Sequence, residues 1–170
     1  MFTDSQTFIN TMLQDIQGLY GNYYLVAILT LFLGIATYTD MKSMKIPNKL
    51  NLTFGIIAIG IIPFMDYSTS EIISRITGSL FGFFVLLIPA MIKMHKMGGD
   101  IKCIAVVGLY LGFFQVPIFL VLACISGMVY IYFRFRTGKP IGNMPFAPFF
   151  LLAHISLFFG QFLIPYLHYL

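Results

Sequence analysis

An all-α polytopic membrane protein with six transmembrane helices and both termini outside is the fold class the sequence predicts, and three observations predict it. Hydrophobic residues make up 59% of the 170 residues and charged ones only 9%, with a mean hydropathy of +0.90. So little polar surface cannot cover a soluble core. The apolar residues gather into runs close to the ~20 residues a helix needs to cross hydrocarbon. The cations gather between those runs, as the excess of Lys and Arg on the inner side of membrane proteins requires.

Residues 1–21 are expected to form a separate extracytoplasmic segment. They carry Asp4 and Asp15 but no Lys or Arg, so the basic start of a secretory signal is missing and no cleaved leader is expected. Phe8, Ile9, Met12, Leu13 and Ile16 fall at mixed helical spacing, which suits a short amphipathic helix at the interface. Residues 22–170 then make one six-helix membrane domain. Apolar runs at Tyr23–Tyr38, Leu50–Met65, Ile72–Met94 and Phe146–Ile164 give four spans. The remaining run, Ile101–Phe133, is too long for one helix, and "FFQVP" (Phe113 to Pro117) places a polar residue and a helix breaker near its middle. Splitting it there gives six.

Charge supports the split. Lys42, Lys45 and Lys49 lie between the first two spans, Lys93, Lys96 and Lys102 around the third-to-fourth junction, and Arg134, Arg136 and Lys139 after the fifth. Six spans with the N-terminus outside put all of these on the cytoplasmic side, whereas five would expose the last group outside. Arg75, near the outer end of the third helix, is expected to snorkel to the interface and meet Glu71 one turn away. The net charge of +4 therefore reflects topology and implies no nucleic-acid partner. Cys103 and Cys124 lie inside apolar stretches without a CxxC pair and read as buried small hydrophobes. His95, His154 and His168 show no metal-ligand spacing, so no metal or other cofactor is expected.

The same map sorts the acids. Asp4, Asp15, Asp66 and Glu71 fall outside, while Asp40 closes the first helix and Asp100 opens the fourth, both at the inner face. Carboxylates at the hydrocarbon edge are costly without partners, which points to function. Interfacial ion pairs with Lys42 and Lys45, or with Lys96 and Lys102, would account for either acid alone. Gly98 and Gly99 remove side chains beside Asp100 and allow close backbone approach, as holding an extended peptide requires. Pro47 separates a short basic loop after Asp40 from the second span.

Together these residues resemble the type IV prepilin peptidases, membrane aspartyl proteases of the GxGD kind. Asp40 followed by a basic loop and Ile46-Pro47-Asn48 is similar to the family's first signature. "MGGDIK", with Gly98, Gly99, Asp100 and Lys102, resembles its GxGD-apolar-Lys element. "MPFAPFFLLA" (Met144 to Ala153) resembles the opening of its final helix. Met97 stands where the first Gly of GxGD is expected. The paired CxxC motifs of the longer members, which also N-methylate the trimmed pilin, are absent. The resemblance is therefore to the small cleavage-only branch, like the peptidases of tight-adherence (Flp) pilus systems. The archaeal preflagellin peptidases are similar at the same two aspartates.

The resemblance implies a prepilin leader peptidase of the cytoplasmic membrane, with Asp40 and Asp100 catalytic, its site near the cytoplasmic face and no methyltransferase activity. Peptide hydrolysis without a metal needs one carboxylate to take a proton from water and a protonated carboxyl to donate to the carbonyl oxygen. Two neighbouring carboxyls supply both, because close like charges resist double ionisation. Helix ends suggest a division of labour: the negative end of the first helix favours protonated Asp40 as the acid, and the positive start of the fourth favours Asp100 as the base. The implied partner is a prepilin-like protein with a basic leader and an apolar helix. Basic loops would repel such a leader within a Debye length, whereas anionic membrane lipid accounts for them without any substrate. Lys102 either steadies Asp100 or anchors the interface. The alternative function is a small polytopic carrier or scaffold in which Asp40 and Asp100 serve as ion-pairing or proton-relay groups. The sequence leaves the oligomeric state open.

Overall fold

The computed structural model describes residues 22–65, 67–93, 98–138 and 144–167. The expected amphipathic segment, Met97, His95 and His168 lie outside the described residues. Among the described residues six α-helices run in order: α1 (Tyr23–Ser43), α2 (Asn48–Ile61), α3 (Thr69–Lys93), α4 (Gly98–Leu111), α5 (Gln115–Arg136) and α6 (Ala147–Leu167). A single 3₁₀ turn, Ile62–Phe64, extends α2. No strand occurs among the described residues.

Helix boundaries follow local chemistry. Asn22 starts α1 by accepting the Tyr24 N–H on its side chain at 3.2 Å. Ser68 and Glu71 form a capping box at the start of α3, with the Ser68 N–H donating to Glu71 Oε2 at 2.7 Å and the Glu71 N–H donating to Ser68 Oγ at 3.4 Å. The long fourth run divides as expected, but at a different residue. Gly112, at φ +83°, ends α4, and Pro117 instead sits in the first turn of α5, where its missing N–H costs nothing.

Helix α4 is the hub. It packs against α3, α2, α5 and α1, while α6 joins α1 to α5. Ile101, Cys103, Ile104, Val107, Tyr110 and Leu111 are buried around its circumference. Its contact with α3 is backbone on backbone: a Cβ on Gly108 would lie 2.6 Å from the Gly78 carbonyl oxygen and the Ser79 nitrogen. Toward α2, the Tyr110 hydroxyl donates to the Phe54 carbonyl at 3.0 Å, and Phe54 stacks on Phe32 of α1 with centroids 4.9 Å apart. Large apolar side chains cover the outside instead, among them Leu52, Ile59, Leu80, Ile88 and Val121. An apolar exterior on this scale fits a lipid solvent and no aqueous one.

Three helices, Tyr23–Ser43, Thr69–Met91 and Gln115–Arg136, are long and apolar enough to cross a membrane. The stretches Asn48–Phe64 and Ala147–Gly160 are apolar but shorter. Helix α4 has 14 residues, about 21 Å at 1.5 Å per residue. Its burial among the other helices removes the need to span lipid by itself, since short or irregular backbone is tolerated where protein surrounds it.

Two expectations need correction. Arg75 does not snorkel: it is 7% exposed, donates to the carbonyls of Leu109 (3.1 Å) and Tyr110 (2.7 Å), and lies over the Tyr67 ring at 4.2 Å. Satisfying the last carbonyls of a buried helix outweighs reaching water. Cys103 is buried as expected, but Cys124 is exposed, because it lies on a face of α5 that the core does not cover.

Candidate active site

Asp40 occupies the last full turn of α1. The helix closes at Met44, which adopts the left-handed region (φ 52°) and donates its N–H to the Asp40 carbonyl at 2.8 Å. The Asp40 side chain is 4% exposed, and its Oδ2 accepts the N–H of Ala147 at 3.0 Å. Ala147 is the first residue of α6, so this carboxylate sits at the donor end of another helix, a ready-made anion site. The motif at Met144 to Ala153 thus acquires a physical role: it delivers a free N–H to Asp40.

The loop after Asp40 clamps the start of α4. Ile46 is buried against Gly99, where an added Cβ would lie 3.1 Å from the Ile46 carbonyl oxygen and 3.2 Å from its nitrogen. Close approach at Gly99 is therefore made by the chain's own loop. At Gly98 a Cβ would meet nothing within 4 Å, and that residue lines open space. Pro47, extended at φ −62° and ψ 134°, precedes Asn48 at the start of α2. Asn48 and Asn51 share a face three residues apart and both reach the first turn of α4. Lys102 Nζ donates to Asn48 Oδ1 at 2.9 Å, and Asn51 Nδ2 donates to the Gly99 carbonyl at 3.1 Å. Asn51, 4% exposed, was missed in the sequence; its signal is a second amide one turn after Asn48, inside an apolar run.

Asp100 stands in the first turn of α4, ahead of the apolar run that begins at Ile101. It and Asp40 line one cleft of about 440 Å³, together with Lys45, Asn48, Gly98 and Lys102. Burial first, and the negative charge of Asp40 second, push the Asp100 carboxyl up to about 6. Two carboxyls of unequal surroundings, one bonded to an N–H and one inclined to keep its proton, can serve as base and acid toward a bound water. Lys102, on the cleft wall, bonds to Asn48, and Lys42 lies over the Tyr38 ring at 5.8 Å. Buried His154 shares a 3.0 Å hydrogen bond with Thr30 Oγ1, tying α6 to α1 away from the cleft. Among the described residues no three His, Cys, Asp or Glu side chains gather closely enough to hold a metal ion.

The sequence model of the type IV leader peptidase family matches residues 27–132, which include both acids. The prepilin leader peptidase/N-methyltransferase of Dichelobacter nodosus is 29% identical over 123 residues, covering 68% of this chain and 41% of that protein. The chain thus spans less than half the length of the curated relative it matches. No solved structure matches the chain.

Proposed function

Because the chain belongs to the type IV leader peptidase family, we propose that it is a prepilin leader peptidase in which Asp40 and Asp100 activate water against the scissile peptide bond. The observation that carries this reading is the shared cleft: two acids 60 residues apart in sequence line one cavity, each at the end of a helix. In this reading Asp40, as the carboxylate, takes a proton from water as its oxygen attacks the carbonyl carbon, and protonated Asp100 donates to the carbonyl oxygen. Asp40 then returns its proton to the departing amine while Asp100 recovers one from the tetrahedral diol, which restores both groups.

These roles reverse the helix-end expectation. The assignment of Asp40 as base rests on geometry, since its Oδ2 accepts the N–H of Ala147 at the start of a different helix. Burial and the negative charge of Asp40 raise the Asp100 carboxyl to about 6, so it holds a proton to higher pH than an ordinary carboxyl.

The proposal extends to topology and substrate. Six crossings with both ends outside put the cleft at the cytoplasmic face, level with the junction between a basic leader and the apolar helix of a pilin precursor. Small Flp-type precursors are the proposed substrates, and the proposed reaction is cleavage alone. A carrier or scaffold built on Asp–Lys pairs has less support, since Lys102 bonds to Asn48 and Asp40 to a backbone N–H. Co-expression with a small prepilin tests the reading: Asp40→Asn and Asp100→Asn should each abolish processing while the protein still inserts. Persistent cleavage by either variant would exclude the pair.

A further inference from the structure

Asn51 is out of keeping with its surroundings. It is 4% exposed and shares one buried face of α2 with Phe54 and Ala58, the stripe that a helix turns toward protein. The rest of that stripe is apolar, and a leucine would fill the position. An amide is buried there with only its nitrogen engaged. Nδ2 donates to the Gly99 carbonyl at 3.1 Å, while Oδ1, which must face away from a group that can only accept, meets no donor among the described residues. A buried acceptor without a donor costs stability, so packing gives no reason for asparagine here. Nor does the contact between α2 and α4 depend on it. The Tyr110 hydroxyl fastens the same two helices at the Phe54 carbonyl, and at Gly55 a Cβ would touch Val106 at 3.6 Å.

What the Asn51 bond fixes is one peptide plane. The Gly99 carbonyl and the Asp100 N–H belong to the same rigid unit, so holding the oxygen sets the direction in which the Asp100 carboxyl leaves the start of α4. The glycine of that unit rests on Ile46, whose backbone would lie 3.1–3.2 Å from a Cβ there, and Ile46 belongs to the loop that follows Asp40. The peptide is thus gripped between α2 and the segment that carries the other acid. We propose that Asn51 is a positioning residue for the hydrolysis described above: through the Gly99–Asp100 peptide it sets the Asp100 carboxyl against Asp40. The inference rests on the peptidase reading. Asn51 itself does not line the cleft and touches no substrate; it acts through Asp100. Its unpartnered oxygen is the stability given up to place that one donor.

The test uses the full chain in detergent with a small prepilin as substrate. Asn51→Leu removes the bond and the unpartnered oxygen together, so its thermal unfolding midpoint should be no lower than that of wild type. Its kcat should fall by about tenfold or more, with KM within about twofold. Asn51→Gln, which keeps a donor on a longer arm, should recover severalfold of that loss. Tyr110→Phe, which cuts the other fastening, should lower the midpoint and leave kcat unchanged. The pH profile adds a readout that a structural role would not move. Among the described residues the titratable groups around Asp100 are Asp40, Lys45 and Lys102 in the cleft, Cys103 one turn on, and Cys124 across a second cavity of about 360 Å³ that Asp100 also lines. None of them changes in Asn51→Leu. Loosened toward water, Asp100 loses part of the burial that raises its carboxyl to about 6, so the fall in kcat/KM should begin at lower pH than in wild type. A kcat within about twofold of wild type, or an unmoved pH limb, overturns the assignment. So does a loss of folding or stability in Asn51→Leu that matches its loss of rate, which would make the role structural. Failure of wild type to process the prepilin would strike the peptidase reading itself, whereas normal processing by Asn51→Leu strikes only the role of Asn51.

Discussion

The two ends of α4 are held in opposite ways. At the C-terminal end, Arg75 satisfies the carbonyls of Leu109 and Tyr110, Gly108 lies against the backbone of Gly78 and Ser79, and Phe113 donates its N–H to Ser74 Oγ at 3.0 Å. Little space remains between α3 and α4 there. At the N-terminal end, Gly99 lies against the Ile46 backbone with slightly more room, the hydrogen bonds come from side chains, Asn51 to the Gly99 carbonyl and Lys102 to Asn48, and beside them two cavities are lined by Asp100. One end of the helix is an anchor and the other is a workplace. Contacts between backbones tolerate no intrusion, whereas side-chain hydrogen bonds fix a carboxyl while leaving room for a substrate next to it.

Substitutions should separate the two ends, and the largest effect belongs to the anchor. Gly108→Val places a side chain where 2.6 Å is already occupied by backbone, so α3 and α4 must part, at a cost of about 3 kcal/mol or more. Thermal unfolding in detergent should show a much lower midpoint, and processing of every precursor should fall together. Unaltered stability would mean that the two helices are less closely packed than described.

The next effect belongs to the workplace and is read from pH. In the proposed mechanism Asp100 acts in its protonated form, and burial and Asp40 raise its carboxyl to about 6. The proton is present below that value and lost above it, so kcat/KM should fall by about tenfold per unit once pH passes well above 6. A rate that is flat from pH 5 to 8 would contradict the assignment of Asp100 as the acid. A smaller effect is expected at Gly99→Ala, where the new methyl group must displace the Ile46 backbone from 3.1–3.2 Å by a few tenths of an ångström. Stability should change little, while processing should slow severalfold because the loop that follows Asp40 moves with Ile46.

The sequence made legible what depends on neighbours along the chain. The six helices, the break in the long fourth run and the placing of Asp40 and Asp100 at helix ends all follow from apolar run length, glycine, proline and charge. Partners across the fold were not legible. The N–H that meets Asp40 comes from Ala147, 107 residues later, and a backbone donor leaves no mark of its own in a sequence. The roles proposed for the two acids, opposite to those that the helix ends suggest, rest on that bond. Arg75 was misplaced for the same reason: its carbonyl partners lie more than thirty residues away, and an arginine near a helix end reads locally as an interfacial one. Gly112 was overlooked because Pro117 is the stronger breaker in general, although proline in the first turn of a helix breaks nothing. Apolar composition made Cys124 read as core, yet in an apolar solvent the outside is as hydrophobic as the inside.

The account stands on Asp40 and Asp100 sharing one cleft on one side of the bilayer, and sidedness of labelling tests it most directly. Asp40→Cys and Asp100→Cys, each made with Cys124 replaced by serine, should both react with a membrane-impermeant maleimide in inverted vesicles and be protected in right-side-out ones. A short bifunctional maleimide should link the two positions when both are present. Reaction of the two cysteines from opposite faces would contradict the shared cleft and the hydrolysis proposed from it.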